Sequence, residues 1–157
     1  MRGLLPLAVL FLAAMVLPGA GLMAGCCQAG PAPAAGEEEL TFLSGDGAVL
    51  ATISVEIARD RLARVTGLSR RLSLPADRGM LFVYESERPL SFTMKKTAFS
   101  LDILFVDGAG EIKTIVAEAQ PYSQRSFSSL LPAQYVVEVN GGFCAAHGIR
   151  VGATIRR

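Results

Sequence analysis

The sequence predicts a mainly β domain with minor α content, an antiparallel barrel or jelly-roll-like sandwich with one short helix packed at its side. Three observations predict it. Ile53, Val55 and Ile57 alternate with Thr52, Ser54 and Glu56, the period-2 pattern of a half-buried strand. Short apolar runs are separated by glycine-containing turns such as Gly45-Asp-Gly47 and Asp107-Gly-Ala-Gly110, as in hairpins. Helical spacing stands out in one place, after Asp60.

Residues 1–25 read as a secretory leader. Arg2 precedes the apolar run Leu4 to Leu17, and no residue from Gly3 to Gly36 is charged. As a helix that run covers about 21 Å, short of the ~30 Å hydrocarbon core of a bilayer. Pro18, Gly19 and Gly21 break its continuation, so a cleaved leader is expected in preference to a spanning anchor. The leader ends in Leu22-Met-Ala-Gly-Cys26, which resembles a bacterial lipobox with Met23 in place of the usual Leu. Cys26 is therefore the candidate lipidation site, with ordinary signal-peptidase cleavage as the alternative. Several acyl chains at ~0.8 kcal/mol per buried CH₂ make a stable membrane anchor, where one chain is marginal. The protein is expected to be exported, as a membrane-anchored lipoprotein or a periplasmic protein.

Residues 26–39, Pro/Ala/Gly-rich and then acidic at Glu37-Glu-Glu39, read as a flexible tether, and residues 40–157 as one β-rich domain. Setting Arg2 aside, the 15 basic residues fall to the number of acidic ones, 14. A neutral domain lacks the basic excess that attracts nucleic acid. With Cys26 lipidated, Cys27 and Cys144 are the remaining thiols, too few for a disulfide framework.

Along the domain, a hairpin joins Leu40–Ser44 to Ala48–Ile57. Asp60 caps a helix whose apolar positions are Leu62, Val65, Leu68 and Leu72, and five arginines between Arg59 and Arg71 crowd the segment. That crowd is either a solvated face or a local anion-binding one. Pro75 to Gly79 is a turn into Met80–Tyr84, a continuous apolar run expected to be covered on both sides. Glu85 to Leu90 reads as a polar loop, and Phe92 and Met94 share one face of the next segment.

In the following strand Leu101, Ile103 and Phe105 share a face, which puts Asp102 with Leu104 and Val106. A carboxylate among apolar neighbours must find partners. Asp102 is thus either a functional group or an acceptor for structural salt bridges and loop N–H groups. Glu111–Ala119 and Tyr135–Asn140 are further strands, with Glu138 on the face of Val136. Gln120–Pro132 reads as a long surface excursion, and Phe143–His147 as a helical turn closed by Gly148.

Familiar catalytic constellations are missing from this sequence. His147 is the single histidine and the domain holds no cysteine pair, so no zinc site can be assembled, and the sequence contains neither a Walker loop nor a G-x-S-x-G nucleophile elbow. A Cys144/His147 pair at i, i+3 lacks an orienting third group. Nothing calls for a cofactor or a metal, and no catalytic residue is assigned.

Six ordered segments nevertheless carry a resemblance: Val55-Glu-Ile-Ala58, Arg64-Val-Thr-Gly-Leu-Ser-Arg70, Arg78-Gly-Met-Leu-Phe-Val-Tyr84, Phe92-Thr-Met-Lys-Lys-Thr97, Leu101-Asp-Ile-Leu-Phe-Val-Asp107 and Val136-Val-Glu-Val-Asn-Gly-Gly142, with Gly148-Ile149 and Gly152. Over residues 48–157 they resemble the domain of unknown function 192 family of small, often exported proteins. The resemblance implies a β-rich barrel or jelly-roll-like fold and no established activity. It places Arg64, Arg70, Met94, Lys95, Thr97 and Asp102 around one region. The chain departs from the family pattern at Ser69, Thr93, Lys96 and Ser100.

The resulting expectation is a lipid-anchored envelope protein that binds a small polar or anionic ligand, or a partner. The candidate binding residues are Arg64, Arg70, Met94, Lys95, Thr97, Asp102 and Glu138. Two alternatives are a hydrolase using Asp102 and Glu138 on an envelope saccharide or ester, and a structural accessory lipoprotein.

Overall fold

The computed structural model describes residues 36–157. The proposed leader and Cys26 lie outside the described residues. Strand β1 (Glu37–Leu43) begins inside the acidic run assigned to the tether and forms an antiparallel hairpin with β2 (Val49–Ala58) across the Gly45–Gly47 turn. Ile53 and Val55 of β2 enter the core on one face, with Ile57 packed beside them, as the alternation requires.

Asp60 caps α1 (Arg61–Thr66), accepting from Ala63 N–H at 2.8 Å. The helix differs from expectation in its face. Leu62 and Val65 are each 76% exposed and Leu72 is exposed too, so Leu68 is the one expected apolar position that is buried. The cause is length. Gly67, at φ 47°, stops the helix after six residues, and a Cβ there would come within 3.2 Å of the Phe82 ring. A helix this short cannot present a two-turn stripe, and Leu68, just beyond its end, is the anchor.

β3 (Arg78–Arg88) then runs parallel to β2. This is the one parallel pair of the main sheet, made by the crossover through α1, where hairpin connections were expected. β3 also continues through the stretch expected as a loop after Tyr84. The chain proceeds through β4 (Ser91–Thr93), β5 (Leu101–Val106), β6 (Ile112–Ala119), β7 (Ser126–Ser128), β8 (Ala133–Asn140), α2 (Phe143–His147) and β9 (Thr154–Arg156). Seven strands form one sheet in the order β6-β5-β8-β3-β2-β1-β9, while β4 and β7 pair separately as a ribbon. The expected surface excursion after Gln120 therefore contains a strand. A bridge between Glu111 and Thr154, with Ile112 N–H donating to Ala153 C=O at 2.8 Å, draws the two edges of the sheet together into a curled half-barrel.

Both faces of the central strands are covered. Leu81, Leu104, Val106, Val137 and Val139 point to one side, where Phe143 and Cys144 of α2 and the C-terminal Ile149 and Ala153 close the core. Met80, Phe82, Ile103, Phe105 and Val136 point to the other, beneath Leu68, Leu90, Met94 and the β4–β7 ribbon. This explains why Met80–Tyr84 and Leu101–Val106 read as continuous apolar runs.

Candidate functional site

Two carboxylates enter this interior, and strand register sends them to opposite sides. On β8, Glu138 lies across from Met80 on β3 and Ile103 on β5, whereas Asp102 on β5 lies across from Val139. Asp102 is fully buried on the side closed by α2. One of its carboxylate oxygens accepts from the N–H groups of Glu118 (2.8 Å) and Gly142 (3.0 Å), and the other from Cys144 N–H (2.8 Å). These donors come from the end of β6, the turn after β8 and the start of α2. Asp102 is thus a structural acceptor that ties three chain segments together. The paired use of Asp102 and Glu138 in hydrolysis is overturned by this placement, because the side chains leave opposite faces of one sheet.

Cys144 is buried in the same cluster, and burial first, then the Asp102 carboxylate, push its thiol well above the usual range. Such a thiol is inert. The His147 ring packs on Phe143 at 4.3 Å between centroids. The pair considered from sequence is therefore a packed helix, without a reactive nucleophile.

Glu138 has the opposite surroundings. It is 6% exposed and sits at the base of a cavity of about 450 Å³ between α1, the β4 segment and the turn from Lys95 to Thr97. Its carboxyl has no hydrogen-bond or ion-pair partner among the described residues, and burial alone pushes its pKa up to about 8. Desolvation favours the neutral acid, so at pH 7 Glu138 is a buried carboxyl O–H donor. Thr97, also buried, lines the same cavity, and its hydroxyl finds no partner among the described residues.

The walls are aromatic. Phe92 meets Phe82 edge-on at 4.9 Å and Phe105 at 5.9 Å. The rim is cationic, with Arg61, Arg64, Lys95 and Lys96 around the opening. Arg64 is held in place. Its Nη1 donates to Val83 C=O at 3.1 Å and to Arg59 C=O, and its guanidinium lies 4.9 Å from the centre of the Tyr84 ring. Tyr84 lines the cavity as well, and burial raises its pKa.

Of the residues selected from sequence, Arg64, Lys95, Thr97 and Glu138 meet at this cavity. Three do not line it. Met94 is buried core beneath the turn, Asp102 is on the other face, and Arg70 is exposed. Arg70 contributes backbone instead, its N–H donating to Lys96 C=O at 3.0 Å, with φ 66°. Sequence reasoning missed Arg61, Tyr84, Phe92 and Lys96 as lining residues. Tyr84 carried a signal in its place at the end of an apolar run and Phe92 in sharing a face with Met94, but whether such a ring faces core or cavity depends on distant strands. No group of residues among those described has the makings of a metal site.

Comparison with known proteins finds relatives of the same kind. No curated protein matches the chain. A solved structure of a protein from Sinorhizobium meliloti 1021, provisionally described as a transcription regulator, superposes with a TM-score of 0.73 at 33% identity, over 76% of this chain and 92% of that one. A protein of unknown function from Novosphingobium aromaticivorans DSM 12444 superposes with a TM-score of 0.70 at 28% identity, over 77% of this chain and 85% of that one. The family model DUF192, described as uncharacterized ACR, matches residues 41–157. With the fold, the ordered motifs and this match in agreement, the chain belongs to the DUF192 family.

Proposed function

We propose that the cavity above Glu138 binds a small oxyanion-bearing ligand, and that the protein is an exported, lipid-anchored binding protein. One observation carries the binding reading: an unpaired buried carboxyl lies beneath a rim of cations, with no carboxylate of the described residues paired to Arg61, Arg64, Lys95 or Lys96. A buried polar group without a partner is costly, and a ligand oxygen that accepts from it recovers that cost. Neutral Glu138 and Thr97 donate from below, Arg64 and Lys95 supply charge above, and Phe92 with Phe82 packs against an apolar ligand body. The volume falls in the range of small-molecule sites, and the lining is more polar than in most of them, as suits a charged ligand.

The proton on Glu138 fixes the sign of the pH dependence. An anion next to Glu138 favours the neutral acid, so affinity is full well below pH 8 and falls as pH rises through about 8. The test is a thermal-shift and calorimetric survey of phosphate, acetate, succinate and a sugar phosphate between pH 6 and 9. Stabilisation by at least one of them is expected, weakening above pH 8. Glu138→Gln, which keeps an N–H donor, should bind without that pH dependence. Arg64→Ala should weaken binding roughly tenfold, the worth of one hydrogen bond to a charged group. An absence of any shift, or one indifferent to both substitutions, sinks the reading.

A further inference from the structure

We propose that the face carrying α1 docks on the surface of an anionic lipid bilayer. Leu62 and Val65, one helical turn apart, share a side of α1 and are both 76% exposed, and Leu72 is 88% exposed. Leu62 and Val65 on the helix, with Leu72 a few residues on, are left in water by a fold that buries the aliphatics of its central strands, and the helix pair calls for an apolar neighbour. Around them the charge has one sign. Arg61, Arg70, Lys95 and Lys96 have no carboxylate partner among the described residues. The acids nearby are engaged: Glu38 with Arg59, Glu56 with Arg71, Glu37 with Arg78, and Asp60 with the helix N-terminus. Aliphatic side chains ringed by unpaired cations match the acyl boundary and anionic headgroups of a bilayer. A nucleic acid would find no use for the leucines.

Chain direction supports the same occupant. Glu37, the first residue of β1, pairs with Glu56 near the end of β2 that leads into α1, and Glu38 holds Arg59 at 2.8 Å. The polypeptide therefore enters the domain beside α1, directly after a stretch that carries no charge from Gly3 to Gly36. With Cys26 as the proposed anchor, the domain is tethered through its α1 end. The docking proposal depends on the exposed face and not on the mode of anchoring, and it does not use Glu138.

The chain has no tryptophan. Leu62→Trp, Val65→Trp and, as a control at the far end of β2, Val49→Trp each install a single reporter in the full-length protein at an exposed position. Each is mixed with phosphatidylcholine vesicles, with or without phosphatidylglycerol, carrying brominated acyl chains. The reporters at 62 and 65 should shift to the blue and be quenched on phosphatidylglycerol-containing vesicles, while the one at 49 stays solvent-like. Replacing Arg61, Arg70 and Lys96 by Gln should weaken the response about fivefold per charge. Solvent-like emission at 62 and 65 on these vesicles, or an equal response at 49, overturns the proposal. A response to duplex DNA with none to vesicles overturns it in favour of a nucleic-acid face. Glu138→Gln should leave the quenching unchanged, so failure of the cavity reading and failure of this one are separable.

Discussion

Asp102 and Glu138 stand on adjacent strands, one register position apart and equally deep, and the protein treats them in opposite ways. Asp102 receives three backbone N–H donors on the side closed by α2. Glu138 receives none from the described residues on the side closed by the ribbon and α1, and burial drives its pKa to about 8. A satisfied buried carboxylate organises structure, because each donor it accepts from is a loop fixed in place. An unpaired one costs stability, and here it borders the cavity where binding is proposed.

Substitutions on the two sides should separate these roles. The largest effect is expected from Asp102→Ala, which strands the buried N–H of Cys144 and the part-buried N–H groups of Glu118 and Gly142, at up to about 2 kcal/mol each, so at most roughly 6 kcal/mol in all, as much as the whole stability of many domains. Urea unfolding at pH 7 measures it, and a loss under 2 kcal/mol would erase the contrast with Glu138. Glu138→Gln should act in the other direction. The unfolded Glu ionises near 4.5 and the folded one near 8, so between those values the unfolded state binds fewer protons. Wild-type stability should therefore fall as pH rises through that window, by ~1.4 kcal/mol per pH unit at most, or about 5 kcal/mol overall. The Gln variant should lack this slope and overtake wild type at pH 8 in denaturant titrations at pH 5, 6.5 and 8.

A smaller effect is expected where the two sides approach through the sheet. A Cβ on Gly79 would meet Glu138 C=O at 2.9 Å, Ile53 at 3.0 Å and Val139 at 3.2 Å. Gly79→Ala should cost about 2 kcal/mol by overpacking, with unchanged pH dependence, because it moves backbone and not the Glu138 carboxyl. Least affected should be Asp60→Ala, which removes one helix cap for about 1 kcal/mol. Its value is local: it should loosen α1 over the cavity, seen as faster amide exchange at Ala63, while leaving the Asp102 side untouched.

Much of the fold was legible because its signals are local. The turns at 45–47 and 107–110, the Asp60 cap and the left-handed Gly148 cap each depend on a few neighbouring residues, and each is present in the structure, whereas the alternation at residues 52–57 holds for Ile53 and Val55 but not for Ser54, which is buried too. The parallel β2–β3 pair was not legible, because it follows from a crossover whose helix is too short to show an apolar face. The site divided along the same line. Parity along β5 and β8 correctly put Asp102 with Leu104 and Glu138 with Val136, but parity within a strand carries no information about which face of a neighbouring strand it matches. Register alone shows that the two carboxyls diverge. The donors to Asp102 are backbone groups, and no side-chain motif announces them.

Thr41 on β1 pairs with Arg156 on β9, and Glu111 bridges Thr154, so the last strand of the domain completes both the first hairpin and the opening of β6. During synthesis the β1–β2 hairpin must accordingly wait with one edge unpaired until the C-terminal strand arrives. Pairing of residues this far apart in the chain is slow to form, so closure of the sheet is expected to be a late step. The three-residue β9 is then both closure and guard: it covers β1 from Thr41 to Leu43, and its exposed Arg156 presents positive charge to any other chain that approaches the sheet there.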